Sequence, residues 1–66
     1  MSTYRAYSSA NYTVFSRPEG VEILNIPSNA TRWLQGDDAQ SLLAELESYD
    51  RFGRSADWHL SQYFGE

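Results

Sequence analysis

The clearest pattern in the first half of the chain is a pair of runs rich in β-branched and aromatic residues. They occupy residues 12–16 (YTVFS) and 21–26 (VEILNI), and residues 17–20 (RPEG) separate them. Two such runs around a turn signal predict a β-hairpin. Pro18 sets φ at the first central position of the turn, and Gly20 is expected to supply the positive φ of a type I turn followed by a bulge.

A further strand is predicted at residues 31–35, where successive side chains alternate between two faces. Residues 27–29 (PSN) break the strand before it, and Gly36 ends it. The first eleven residues show no clear period and are compatible with a strand around Thr3 to Tyr7, a short helical turn or a loosely docked arm. The prediction is an antiparallel meander of three to four strands, one face of which needs a cover.

An amphipathic helix is predicted from Asp37 to about Tyr49 or Asp50. Its apolar side chains recur at spacings of three and four, which places them on one helical face. The members of this stripe are Ala39, Leu42, Leu43, Leu46 and Tyr49. Asp37 or Asp38 is expected to N-cap the helix. The stripe is the natural cover for the sheet.

A short C-terminal helix is predicted at residues 56–64. Gly53 is expected to end the preceding helix in the left-handed conformation, and Ser55 is expected to N-cap the new one. Trp58, with Leu60 and Phe64, is expected to dock this helix on the rest. The sequence thus predicts an α+β fold in a single domain, residues 1–66: a small antiparallel sheet covered by one amphipathic helix, plus a short C-terminal helix.

Composition limits how stable such a domain can be. The chain has 66 residues, no cysteine and one histidine, so neither a disulfide nor an unaided histidine metal site can support it. A single core of this size rarely supplies more than roughly 3–5 kcal/mol. Two Trp, five Tyr and three Phe are generous for this length, so one or two rings could face a partner, and either a monomer or a homodimer is expected.

The beginning of the sequence and its hydropathy indicate an intracellular protein. Residues 1–5 (MSTYR) lack the apolar run of a secretory signal. No segment approaches the ~20 apolar residues that span a bilayer. The lack of cysteine agrees with this expectation.

Charge is distributed unequally along the chain. Residues 1–36 carry two acids and three arginines, whereas residues 37–66 carry seven acids and two arginines, within a net charge of −4. An asymmetric field of this kind steers association with a basic partner. Direct nucleic-acid binding is not expected, because it needs clustered Lys or Arg.

The inventory for catalysis or metal binding is small. His59 is the one side chain whose ordinary pKa lies near neutrality, and Asp57 with Ser55 or Ser61 could complete a triad. No nucleophile elbow or oxyanion loop accompanies these residues. The carboxylate pairs lack the spacing of a calcium loop. No cofactor is expected.

Carboxylates along the helix, interleaved with rings, could instead imitate phosphates and occupy a protein groove built for DNA. A solvated helix face explains the same acids more simply. If the chain binds a partner, the expected electrostatic contacts are Asp37, Asp38, Glu45, Glu47, Asp50 and Asp57. Trp58 or Tyr63 would be the aromatic anchor, because interface hot spots favour such rings.

The whole chain resembles the small phage-encoded anti-CRISPR proteins, in particular those directed at type I-C systems. The resemblance lies in its short, acidic, aromatic-rich and cysteine-free sequence. It extends to the turn at residues 17–20 and to the segment 33–39 (WLQGDDA), which leads into residues 42–47 (LLAELE). These inhibitors share no common signature or fold, so the resemblance assigns no role to an individual residue.

This resemblance implies a non-enzymatic inhibitor in the cytoplasm of the bacterial host. Its partner would be the CRISPR surveillance complex, an RNA-guided assembly, and its effect would be to block target DNA binding, with acidic mimicry of DNA as one route. Two alternatives stay open. One is a small acidic adaptor or regulator with an aromatic interface, and the other is a very small enzyme that uses His59.

Overall fold

The strands come first along the chain and the helices follow. The computed structural model describes residues 3–65, so Met1, Ser2 and Glu66 of the predicted single domain lie outside the described residues. The elements are β1 (Tyr4–Ser8), β2 (Tyr12–Arg17), β3 (Gly20–Asn25), β4 (Ala30–Leu34), α1 (Gly36–Arg51), α2 (Asp57–Ser61) and a 3₁₀ helix (Gln62–Phe64). The strands form an antiparallel sheet in the order β1-β2-β3-β4. The predicted α+β fold class is confirmed.

The apolar stripe of α1 faces the sheet, as its spacing predicts. Ala39, Leu42 and Leu46 are buried in the core cluster, and Leu43 and Tyr49 are partly buried against it. Helix stability in proteins comes mainly from burying such a face, since propensity alone is marginal. The position of α1 over the sheet therefore follows from this stripe.

The two central strands supply the sheet side of the core. Val14 on β2 pairs in register with Ile23 on β3, and both are fully buried. Val21, two residues before Ile23, is buried on the same face. Because strand side chains alternate between faces, the residues between them point away from α1.

The sequence left the conformation of the N-terminal segment open, and the structure shows which conformation residues 4–8 adopt. β1 runs from Tyr4 to Ser8, so of the three conformations considered for the N-terminal segment the strand is correct. Its register with β2 shifts between Arg5 and Tyr7, which marks a bulge or irregularity in this edge strand. Bulges of this kind discourage unwanted pairing at a sheet edge.

The predicted role of Gly20 is wrong. Positive φ is found at Gly36, Gly53 and Gly65 among the described glycines, and not at Gly20, which pairs with Arg17 as the first residue of β3. Gly20 is needed for space instead. A Cβ there would collide with the Leu34 carbonyl oxygen and would lie 2.9 Å from Cζ2 of Trp33.

The sheet face that α1 does not cover is shielded by its own long side chains. Phe15, Glu22 and Trp33 lie side by side on β2, β3 and β4. The Arg17 guanidinium lies 5.5 Å from the Phe15 ring centroid and 2.7 Å from Oε1 of Glu22. The Trp33 ring passes over Gly20. Together they give this face a mixed polar and aromatic surface.

Helix α1 begins one residue earlier than predicted. It starts at Gly36, its N-cap position is Gln35, and no side chain caps it. The N-cap role expected of Asp37 or Asp38 is therefore wrong, because both fall inside the first turn. There they still face the positive end of the helix dipole. At the other end, Gly53 takes the predicted left-handed conformation with φ of 66°.

The C-terminal helix is shorter than predicted. The α-helical part is Asp57–Ser61 and the rest is 3₁₀ helix. Ala56, not Ser55, holds the N-cap position, and its carbonyl accepts the Leu60 N–H at 2.9 Å. The Ser55 hydroxyl still accepts the Asp57 N–H at 3.2 Å.

Two of the three side chains predicted to dock this helix on the core do so, and one does not. Leu60 is fully buried and Phe64 is partly buried against the core, as predicted. Trp58 is wrong as a docking residue, because it is 73% exposed. Two residues along a helix correspond to about 200°, so Trp58 points away from the core when Leu60 points into it.

Replacing Gly20 tests its tight packing. We expect Gly20→Ala to lower the free energy of unfolding by about 1–3 kcal/mol, the usual cost of overpacking, because the new methyl group displaces the Leu34 backbone and the Trp33 ring. Urea unfolding followed by Trp fluorescence measures it. Thr31→Ala, at an exposed position of β4, is the control and should change stability by less than about 0.5 kcal/mol. Equal stability of the two variants would contradict the close approach.

Candidate protein-binding surface

Two of the predicted contact residues, Asp38 and Glu45, lie on the side of α1 that faces Tyr63. Both carboxylates are exposed, and they are seven residues apart, or about 10.5 Å along a helix. Burial raises the pKa of Tyr63, and the negative charges of Asp38 and Glu45 raise it further. The fold thus brings three predicted site residues from distant parts of the chain into one electrostatic neighbourhood.

Aromatic rings form the rest of this surface. The His59 ring lies 5.9 Å from the Tyr49 ring and 6.0 Å from the Tyr63 ring, between centroids. These contacts connect α1 to the C-terminal segment. We call the surface made by Asp38, Glu45, Tyr49, His59 and Tyr63 the acidic-aromatic flank.

Arg32 on β4 contacts the residues at the C-terminal end of the flank, Tyr63 and the adjacent Phe64. Its Nε donates to the Tyr63 carbonyl oxygen at 3.0 Å, and its guanidinium carbon lies 4.7 Å from the Phe64 ring centroid. The Phe64 ring in turn lies 5.9 Å from that of Tyr12 on β2. Arg32 therefore serves as a tie between β4 and the C-terminal segment.

Glu47 and Asp50 do not join this flank. They border a groove of about 630 Å³ between β1 and α1, where Arg5 and Arg54 also lie. Glu47 Oε1 is 3.3 Å from Nη2 of Arg51, an exposed pair one helical turn apart. Asp37 is exposed in the first turn of α1. The six predicted acids are thus spread over several surfaces.

Asp57 ties α2 to β1 and to the turn between β1 and β2. Its Oδ1 accepts the Tyr7 hydroxyl at 2.8 Å and the Ser9 hydroxyl at 2.7 Å, and its Oδ2 accepts Asn11 Nδ2 at 3.2 Å. Burial raises the pKa of Asp57, but hydrogen bonds from Ser9, Tyr7, Asn11 and Ser55 outweigh burial and hold it below its ordinary value. This carboxylate is already occupied within the fold.

Two aromatic residues stand out at the surface near the end of α1 and in α2. Trp58 is 73% exposed and Phe52 is 69% exposed. Phe52 was not among the predicted site residues. Its position in the sequence, directly after α1 and outside the apolar stripe that ends at Tyr49, could have indicated an exposed ring.

The surroundings of His59 do not assemble a triad within residues 3–65. The Ser61 hydroxyl donates to the Trp58 carbonyl oxygen at 2.7 Å. The Ser55 hydroxyl lies within 3.3 Å of the Tyr7 hydroxyl. Asp57 is held by donors from β1 and from the turn between β1 and β2. His59 is therefore placed to pack between two tyrosine rings.

Residues 3–65 contain no cluster of three or more His, Cys, Asp or Glu residues placed to hold a metal ion. Neither described α-helix combines the length and the apolar character needed to cross a membrane. Comparisons with protein families, with curated proteins and with solved structures find no match.

Removing single charges tests the electrostatic coupling in the flank. We expect Asp38→Asn and Glu45→Gln each to lower the pKa of Tyr63, because each removes a negative charge that disfavours the phenolate. NMR titration of ¹³Cζ-labelled tyrosine at alkaline pH measures this. Glu47→Gln, on the same helix but outside the flank, is the control. A Tyr63 pKa that responds equally to all three changes would show that no local coupling exists.

The hydrogen bonds to Asp57 predict a pH dependence of stability. Because the folded-state pKa is lowered, the carboxylate stabilises the fold above its unfolded-state pKa of about 3.9, and this contribution is lost as the pH falls through the folded-state pKa. At pH 7 we expect Asp57→Asn to cost about 1–3 kcal/mol.

Urea unfolding of wild type and Asp57→Asn checks this expectation. The measurements cover several pH values between about 7 and 2.5, a range that includes the unfolded-state pKa of Asp57. The difference between wild type and Asp57→Asn should shrink toward the acidic end. Asp50→Asn, an exposed acid without a side-chain hydrogen bond among residues 3–65, should cost little at any pH. A wild-type advantage that stays constant down to the lowest pH would contradict the assignment.

Proposed function

We propose that this chain is a non-enzymatic inhibitor that binds a basic protein surface through the acidic-aromatic flank. The partner would be the RNA-guided surveillance complex of a bacterial CRISPR system, and binding would block access of target DNA. The protein would act stoichiometrically in the cytoplasm of the host, without a cofactor and without direct contact to nucleic acid.

One observation carries this proposal. Asp38 and Glu45 are exposed and have no arginine partner, although all five arginines of the chain lie within the described residues. By contrast, Glu22 is paired with Arg17, and Glu47 is paired with Arg51. The flank therefore keeps negative charge that the fold itself does not neutralise.

Physical chemistry connects this surface to a basic partner. Unpaired surface charge raises the rate of association with a surface of opposite sign. Adjacent rings can then supply the buried contacts that carry binding energy. A protein channel that binds DNA offers the required Lys and Arg side chains. The type I-C surveillance complex is the target that follows from the resemblance of the chain to anti-CRISPR proteins.

A second candidate function is that of a protein adaptor with an aromatic interface. Its support is the exposure of Trp58 and of Trp33, which is 44% exposed on the uncovered face of the sheet. Binding of this kind would depend on apolar area, so it would respond weakly to salt.

Matched charge reversals separate the two functions. We expect Asp38→Lys/Glu45→Lys to weaken binding to a purified type I-C surveillance complex by at least about tenfold, or about 1.4 kcal/mol, because both changes place positive charge on the flank. Glu47→Lys/Asp50→Lys changes the net charge equally on the same helix but off the flank, and it should bind nearly as well as wild type. Surface plasmon resonance at several salt concentrations measures affinity, and circular dichroism checks that both variants are folded.

The same preparation tests competition with DNA. Wild-type protein should prevent the complex from binding its target duplex. Added salt should lower the affinity of the inhibitor for the complex. The absence of binding to the complex would overturn the proposed target. Binding that Trp58→Ala abolishes and the flank reversal leaves intact would instead establish the aromatic adaptor.

A further inference from the structure

A small pocket at the C-terminal end of α1 adjoins the acidic-aromatic flank. It has a volume of about 210 Å³, and it is lined by Glu45, Ser48, Tyr49, Phe52 and Arg54. Glu45 and Tyr49 belong to the flank, whereas Phe52 and Arg54 follow the helix. The pocket therefore lies where the proposed binding surface meets the α1 terminus.

Backbone hydrogen bonds at the end of α1 give this pocket a defined shape. The Phe52 N–H donates to the Ser48 carbonyl at 3.2 Å, and the Arg54 N–H donates to the Tyr49 carbonyl at 2.8 Å. Gly53 has a φ of 66°, which allows the chain to turn back between them. The turn leaves Phe52 exposed at the rim, while Tyr49 is partly buried against the core.

The chemistry of the lining suits a planar cation. Glu45 offers a carboxylate without an arginine partner, and Tyr49 and Phe52 offer aromatic rings. A guanidinium binds a carboxylate through two parallel hydrogen bonds and stacks on rings. A lysine ammonium is a compact point charge and lacks this planar fit.

Arg54 is the one lining residue of the same sign as such a ligand. It also lines the separate groove between β1 and α1 that Glu47 and Asp50 border. On the flank side, the charges of Asp38 and Glu45 act as far as Tyr63. The pocket lining itself holds one acid, Glu45, and one cation, Arg54, and no ion pair joins them.

We propose that this pocket receives an arginine side chain of the partner, with Glu45 as the carboxylate and Tyr49 and Phe52 as the packing rings. This inference rests on the proposed function, since it names the side chain by which a basic partner is held. Arg54 then limits the affinity of the pocket by like-charge repulsion.

A titration with a single blocked amino acid isolates the pocket from the rest of an interface. The probe is N-acetyl-L-arginine amide, added to ¹⁵N-labelled protein and followed by NMR. We expect saturable shifts centred on the amides of Glu45, Ser48, Tyr49, Phe52 and Arg54, with an affinity in the millimolar range. N-acetyl-L-lysine amide, of equal charge, should bind at least about threefold more weakly because it cannot pair through two hydrogen bonds.

Three substitutions assign the roles of the lining residues. Glu45→Gln and Phe52→Ala should each weaken arginine binding by about threefold or more, and Arg54→Ala should strengthen it because a like charge is removed. Glu47→Gln, the same change at an acid of α1 that does not line the pocket, should leave the affinity unchanged.

Several results would overturn the inference. They are shifts that do not saturate, equal affinity for the arginine and lysine probes, or an Arg54→Ala variant that binds arginine more weakly. Failure of the probe, combined with flank-dependent binding to the surveillance complex, would remove the pocket and leave the proposed function standing. Specific arginine binding without any binding to the complex would support the pocket and overturn only the proposed target.

Discussion

The packing of the α1 apolar stripe on one face of the sheet is the contact on which the rest of the structure depends. Leu42 and Leu46 share a core cluster with Val14 and Ile23, and all four are almost completely buried. A chain of 66 residues has little other apolar area to bury. Because this contact sets the rotation of α1 about its axis, it also decides which acids face solvent and which neighbour each one has.

The C-terminal segment decides the chemical character of one side of α1. Ala56 and Leu60 are fully buried, and the Asp57 carboxylate binds donors from β1 and from the turn between β1 and β2. This docking carries His59 and Tyr63 to the side of α1 where Asp38 and Glu45 lie. The acidic face of α1 gains neighbouring rings only because residues 57–64 dock beside it.

Errors in the sequence predictions have local physical causes. Gly20 carries a turn signal, but the nearby Leu34 backbone and Trp33 ring show that it is needed for space. Asp37 and Asp38 are of a residue type that favours the N-cap position, but Gly36 already starts the helix. Trp58 was expected to dock the C-terminal helix, yet Leu60 occupies the position that faces the core. In each case a neighbour distant in the sequence, or a shift of one or two residues, decided the outcome.

The sequence by itself determined β2, β3 and β4, the amphipathic helix and its buried stripe, because alternation and helical spacing are local properties of the chain, whereas the conformation of β1 was left open. It also determined the excess of acid in the second half. The Glu47–Arg51 pair follows from helical spacing as well, but only the tertiary structure placed Asp57 among hydrogen-bond donors and Asp38 with Glu45 on the flank beside Tyr63. The physical reason is that hydrogen bonds and Coulomb interactions depend on distances between side chains, which the fold sets and the spacing of residues along the chain does not reveal.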